Sequence, residues 1–157
     1  MRPLLFTLGL SAVLVFSACA SDRMPANLAE PEFNLRQVEG QAFAARHEAG
    51  AISVKFQLDV HNRSSEPLTL DRVQLESMGY GAYTVPKTDR PFAKVIRPHQ
   101  VETVDLWIPA VAENTIEGSN GPVTLRGTAY FKSPVGNFQR IFVQQVNAGS
   151  NRAFTPE

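Results

Sequence analysis

The stretch Ile52-Ser53-Val54-Lys55-Phe56-Gln57-Leu58-Asp59-Val60 decides the fold. Every even-numbered residue in it is apolar and every odd-numbered one polar. A β-strand sends successive side chains to opposite faces, so a period of two makes one apolar and one polar face. Ile52, Val54, Phe56, Leu58 and Val60 are expected to face a core. A helix would spread the same residues around its whole circumference.

The pattern repeats downstream. His61 to Pro67 is a polar break in which Asn62 is suited to bond nearby backbone. Leu68 to Glu76 is the next strand, and its parity slips between Leu70 and Val73, which predicts a bulge near Asp71-Arg72. Gly79 and Gly81 interrupt, Tyr83 to Val85 continues briefly, and Phe92 to Ile96 is stopped by Arg97-Pro98. Gln100 to Ile108 alternates again, with Val104, Leu106 and Ile108 on one face, and Pro109 is expected to end it. After a loop over Glu113 to Pro122, Val123, Leu125, Ala129 and Phe131 align on a strand. Gly127 within that strand marks a bulge or a close backbone approach. Ser133-Pro134-Val135-Gly136 reads as a hairpin connection to a last strand over Asn137 to Val146, with Ile141 and Val143 inward. Phe33 to Glu39 opens the domain, and Gln41 to Glu48 is the one helical candidate after the N-terminal segment. About seven short alternating strands predict an all-β fold, a two-sheet antiparallel sandwich, with a closed barrel as the alternative.

The N-terminus has a different logic. Arg2 precedes an apolar run from Leu4 to Phe16, shorter than the roughly 20 residues a membrane-spanning helix needs. A positive start, a short apolar core and small residues after it make a secretory signal over residues 1–18. Phe16-Ser17-Ala18-Cys19 resembles the lipobox of bacterial lipoproteins, where the cysteine sulfur takes a diacylglycerol before cleavage. Cys19 is the only cysteine, so an intramolecular disulfide is impossible. Acylation would also cap a thiol that is a liability in an oxidising compartment. By the same resemblance, Ala20 rather than Asp after the cysteine favours the outer membrane, facing the periplasm. Residues 19–32, with Pro25 and Pro31, read as a lipidated N-terminus and extended tether, 33–146 as the sandwich, and 147–157 as a flexible tail.

Composition narrows the partners. Without its first 18 residues the chain has 139, one domain's worth. Arg2 is the only charge in that signal, which leaves 14 basic and 15 acidic side chains. Nothing there points to nucleic acid.

Several short motifs resemble a known family. They are Phe56-Gln57-Leu58-Asp59-Val60-His61-Asn62, Pro67-Leu68-Thr69-Leu70, Ile96-Arg97-Pro98, Leu125-Arg126-Gly127-Thr128-Ala129 and Ser133-Pro134-Val135-Gly136. Together they resemble the group-2 late embryogenesis abundant domain, also called the WHy (water stress and hypersensitive response) domain. Arg63 stands where that family often has Pro after the Asn. The resemblance implies an Ig-like or fibronectin-like sandwich associated with desiccation or stress tolerance.

No serine-hydrolase elbow, zinc-binding His-Glu-x-x-His, Cys-x-x-Cys or phosphate loop occurs. His47, His61 and His99 lie at or near strand ends or loops, and a zinc site needs three or four converging ligands. Asp59 and His61, two apart on one face, are at most half of such a site; the competing reading is a solvated strand face. The scattered carboxylates Asp71, Glu76, Asp89, Glu102 and Asp105 pick out no acid–base pair. No catalytic residue, cofactor or metal is therefore expected. Trp107 points away from Leu106 and Ile108 by parity, so either its strand is buried on both faces or Trp107 sits on a surface patch. Tyr80, Tyr83 and Phe92 are candidates for a second aromatic patch, alternatively covered by a neighbouring loop. The expectation is a non-enzymatic envelope lipoprotein, either stress-protective or an interaction module for a protein, lipid or glycan.

Overall fold

The computed structural model describes residues 23–40, 50–79, 81–112 and 122–147. The lipidation candidate Cys19, the helical candidate at 41–48 and Tyr80 lie outside them. Eight strands follow in order: β1 Glu32–Gly40, β2 Gly50–His61, β3 Leu68–Ser77, β4 Tyr83–Thr84, β5 Thr88–Ile96, β6 Val101–Ala112, β7 Val123–Ser133 and β8 Gly136–Val146. They form two four-stranded sheets, β1-β2-β6-β4 and β5-β3-β7-β8. Every neighbouring pair is antiparallel. The expected sandwich is the observed one, with the brief Tyr83 segment counting as a strand of its own. Only β1–β2 and β7–β8 are hairpins within a sheet; every other connection crosses between sheets.

The core follows from the alternation. Val54, Phe56, Leu58 and Val60 are fully buried, Ile52 packs partly against them, and Val104, Leu106 and Ile108 join from β6. The second sheet contributes Leu68, Leu70, Val73, Leu75, Val123, Leu125, Ala129 and Phe131. Phe33 bridges the sheets on one side, its ring 4.7 Å from that of Phe142 and 6.2 Å from that of Phe131. The parity slip in β3 is a bulge: both of its neighbours jump from Leu70 to Arg72. The β7–β8 turn is the two residues Pro134-Val135, and Gly136 closes it at φ 135°, where a side chain would be strained.

Four expectations change. Pro109 does not end β6, which runs on to Ala112. β6 pairs with β2 on one side, whereas β4 reaches only Val111 and Ala112 on the other. The carbonyl of Trp107 faces that open edge, since it accepts the Arg90 side chain, and Pro109 shares its parity. The missing N–H therefore costs no ladder bond. Likewise β5 starts at Thr88 rather than Phe92 and passes through Pro91, because β5 is an edge strand.

Ile141 and Val143 do not face inward; they are 52% and 54% exposed. Phe138, Phe142 and Val146 hold the opposite parity and are buried, which sets the register of β8. The polar residues on that inner side find partners at the rim. Gln144 Oε1 accepts the N–H of Leu35, and Arg140 pairs with Glu30.

Within the expected tether, the described residues from Met24 to Pro31 are anchored on the domain rather than extended. Leu28 belongs to the core, Met24 packs against it and Pro31 is buried. A turn in which Leu28 N–H donates to Pro25 O at 3.0 Å places Leu28 for this.

Candidate functional site

The outer face of the first sheet carries a polar network that spans three strands. Register aligns Asn34, Asp59 and Thr103 in one row across β1, β2 and β6, and Arg36, Gln57 and Asp105 in the next. Lys55 and Trp107 form the third. Neighbouring strands lie about 4.8 Å apart, so each row brings its side chains into hydrogen-bond reach.

Asp59 anchors the network. It is 6% exposed although it sits on the outer face. Arg36 forms an ion pair with it, Thr103 Oγ1 donates to Oδ1 at 2.6 Å, and Asn34 Nδ2 lies 3.4 Å from Oδ2. A buried carboxylate is tolerated only when it is paired and hydrogen-bonded, and here it is both. Arg36 also donates to Gln57 Oε1 through Nε at 3.2 Å and Nη2 at 2.9 Å. Gln57 Nε2 donates to Asp105 Oδ1 at 3.0 Å, and Lys55 Nζ lies 3.3 Å from Asp105 Oδ2. The same ammonium stands 5.7 Å from the centroid of the Trp107 ring. Hydrogen bonds and ion pairs thus run from β1 to Lys55, whose ammonium faces the indole, and Arg36 and Lys55 are each paired with a carboxylate.

Trp107 itself is 49% exposed, so of the two readings the surface patch is the observed one. Its backbone is fixed from the open side: Arg90 donates to Trp107 O through Nε at 2.9 Å and Nη2 at 2.8 Å. Pro109 and the half-exposed Val111 continue an apolar ridge along the outside of β6.

The other aromatic candidates do not join it. Tyr83 is a core residue, 1% exposed, and its hydroxyl donates to Gln37 Oε1 at 2.7 Å. β4 turns it inward toward Phe56. Burial pushes the hydroxyl's ionisation well above its ordinary range. Phe92 is partly buried against the core. The Asp59–His61 half-site does not assemble. Asp59 is taken up as described, and His61 Nδ1 lies 3.3 Å from Glu32 Oε2. Among the described residues no group of three His, Cys, Asp or Glu converges to hold a metal.

A second cluster ties one end of the sandwich together. Asn62 is fully buried, and its Nδ2 reaches Glu66 O at 2.8 Å, Ile96 O at 3.0 Å and Arg97 O at 3.2 Å. Its Oδ1 accepts Ser64 N–H at 3.0 Å and Ser64 Oγ–H at 2.6 Å. One amide therefore joins the β2–β3 turn to the end of β5.

Sequence reasoning singled out Asp59 and Trp107 on the outer face but missed Asn34, Arg36, Lys55, Gln57, Thr103 and Asp105 as their partners. The odd parity of β2 and β6 would have placed most of them outside; the cross-strand register that joins them was needed as well.

No family model matches the chain, and no curated protein matches it. Among solved structures it is similar to Northeast Structural Genomics Consortium target SoR45, with a TM-score of 0.52 and 12% identity over 82% of this chain and 92% of that one. A protein from Archaeoglobus fulgidus aligns at 9% identity and a TM-score of 0.43, covering 75% and 93% of the two chains. At such identity the first likeness speaks to the fold alone.

Proposed function

We propose that the chain is a non-enzymatic lipoprotein, anchored through Cys19 in the outer membrane and facing the periplasm, whose WHy-like sandwich protects against water stress. The observation that carries this reading is what the motif residues do. Asn62 gathers Glu66, Ile96 and Arg97, Gly127 accepts a ring against its backbone, and Gly136 closes a turn. All of them hold the fold and none presents a reactive group. The carboxylates of the first sheet's outer face support it too, being paired with cations rather than aimed at a cleft.

Mass spectrometry of the mature N-terminus tests the anchor: acylated Cys19 is expected, and an unmodified terminus elsewhere rejects it. Deletion followed by drying or osmotic challenge tests the protective role, with lost survival as the expected result.

A second reading, an envelope interaction module, is supported by the half-exposed Trp107 on its fixed scaffold. Cross-linking from position 107 in intact cells tests it, and one stoichiometric product is the expected outcome. The lipid-carrier form of that reading has less support, because Phe33 closes the space between the sheets against Phe131 and Phe142.

A further inference from the structure

We propose that the outer face of β6, from Thr103 to Val111, is a platform for an uncharged, extended glycan strand. This rests on the interaction-module reading and gives it a ligand chemistry. Three observations lead to it.

The first is the pairing of an exposed ring with hydrogen-bonding groups in line. Thr103, Asp105, Trp107, Pro109 and Val111 alternate along one straight strand face, at about 6.8 Å from one to the next. A pyranose has an apolar C–H face and an equatorial rim of hydroxyls. The half-exposed indole offers a stacking surface to the first. The half-exposed Asp105 carboxylate and the hydroxyl oxygen of the exposed Thr103, whose proton goes to Asp59, are acceptors for the second.

The second is charge. Arg36 is matched by Asp59 and Lys55 by Asp105. These two pairs cancel, and the Arg90 guanidinium at the edge is engaged by the carbonyls of Trp107 and Asp89, so the face presents no cluster of positive charge to draw a phosphate, an anionic headgroup or a nucleic acid. A polyol can bond such groups without breaking the pairs.

The third is order. Asp105 is held by Gln57 and Lys55, and the same Lys55 ammonium stands 5.7 Å from the centroid of the Trp107 ring. Side chains fixed before the ligand arrives lose little entropy when it binds. A shallow platform of this kind binds weakly on its own and relies on a repeating ligand.

The test uses the full chain in a polyoxyethylene detergent, whose headgroup carries no sugar. Trp107 is the only tryptophan, so its fluorescence reports on the site directly. Chitohexaose and cellohexaose are titrated, and sedimentation with peptidoglycan sacculi is measured beside them. The expected result is a saturable fluorescence change with at least one hexasaccharide and retention on sacculi. Trp107→Ala and Trp107→Phe lack the fluorophore, so their hexasaccharide binding is read by titration calorimetry beside the parent: Trp107→Ala should weaken it about tenfold or more, Trp107→Phe less, and Asp105→Ala by an intermediate factor. Because Trp107 is half exposed, the thermal midpoint of Trp107→Ala should stay near that of the parent, which separates lost binding from lost folding. No binding to any of the three probes overturns the proposal. So does binding that Trp107→Ala leaves intact, a dimer that Trp107→Ala dissolves, or preferential binding to phosphatidylglycerol vesicles. If the glycans fail while cross-linking at 107 still yields one protein, the glycan proposal falls and the interaction-module reading stands.

Discussion

The ring of Phe142 lies on the backbone of Gly127, its cross-strand partner. A Cβ added at 127 would fall 2.1 Å from Cζ and 2.5 Å from each Cε of that ring. An aromatic laid over a strand glycine fills the space the missing side chain leaves and covers its backbone.

Gly127→Ala should therefore cost about 2–3 kcal/mol of unfolding free energy, as overpacking of a closed site. Phe142→Ala should cost about 3–5 kcal/mol through the cavity it leaves. The double variant should be less destabilised than the sum of the two, by about 1–3 kcal/mol, because the clash exists only while both groups are present. Urea denaturation of the four proteins checks this, and strict additivity would show that the ring moves aside freely.

Asn62 makes a sharper distinction possible. Asn62→Ala removes bonds to three carbonyls and to Ser64, and should cost about 2–4 kcal/mol. Asn62→Asp keeps the acceptor for Ser64 but turns a second oxygen toward those carbonyls. It should be at least as damaging near neutral pH, despite being the closer isostere. Denaturant midpoints for the two variants decide the order.

Tyr83 should give the protein an alkaline limit. Its ionisation is raised in the folded state by burial, whereas in the unfolded chain it ionises near about pH 10. Above that pH the unfolded state binds fewer protons than the folded one, so stability falls as pH rises; below it this group contributes no slope. Tyr83→Phe should lower stability by about 1–2 kcal/mol at neutral pH, since Gln37 Oε1 loses its donor. It should also flatten the decline above about pH 10. Thermal melts across the alkaline range, parent against variant, test both parts.

Arg90 guards an edge. Its guanidinium occupies the carbonyl of Trp107 on the side of β6 that β4 leaves open. Exposed strand edges invite pairing with other chains, and a charge placed there discourages it. Arg90→Ala should change stability by less than about 1 kcal/mol, as befits a side chain near solvent. It should nonetheless make the protein associate as concentration rises. Sedimentation velocity over a concentration series measures this, and a variant as monodisperse as the parent would deny Arg90 that role.

Much of the sandwich was legible because alternation is a local signal. The even residues of β2 and of β6 point inward as their pattern requires, and the slip at Asp71 is a bulge. The errors arose where a rule depends on neighbours. Pro109 breaks a strand only if its N–H side has a partner, and here that side is open. Ile141 and Val143 are apolar enough for a core, but the ring that Gly127 needs sits at Phe142, and that fixes the parity of β8 against them. Tyr83 looked like a surface aromatic because its short strand carries no pattern, and its partner Gln37 lies 46 positions earlier. The outer-face network was half visible for the same reason: parity names the side, and only register shows which residues meet.

The docking of Leu28 and Met24 has a bearing on where the protein can act. With residue 24 already seated against the fold, only five residue steps separate it from Cys19, at most about 18 Å of fully stretched chain. On the lipid-anchor reading, the domain would ride within its own width of the bilayer rather than range through the compartment. Its working radius would then be set by how far its targets come to the membrane.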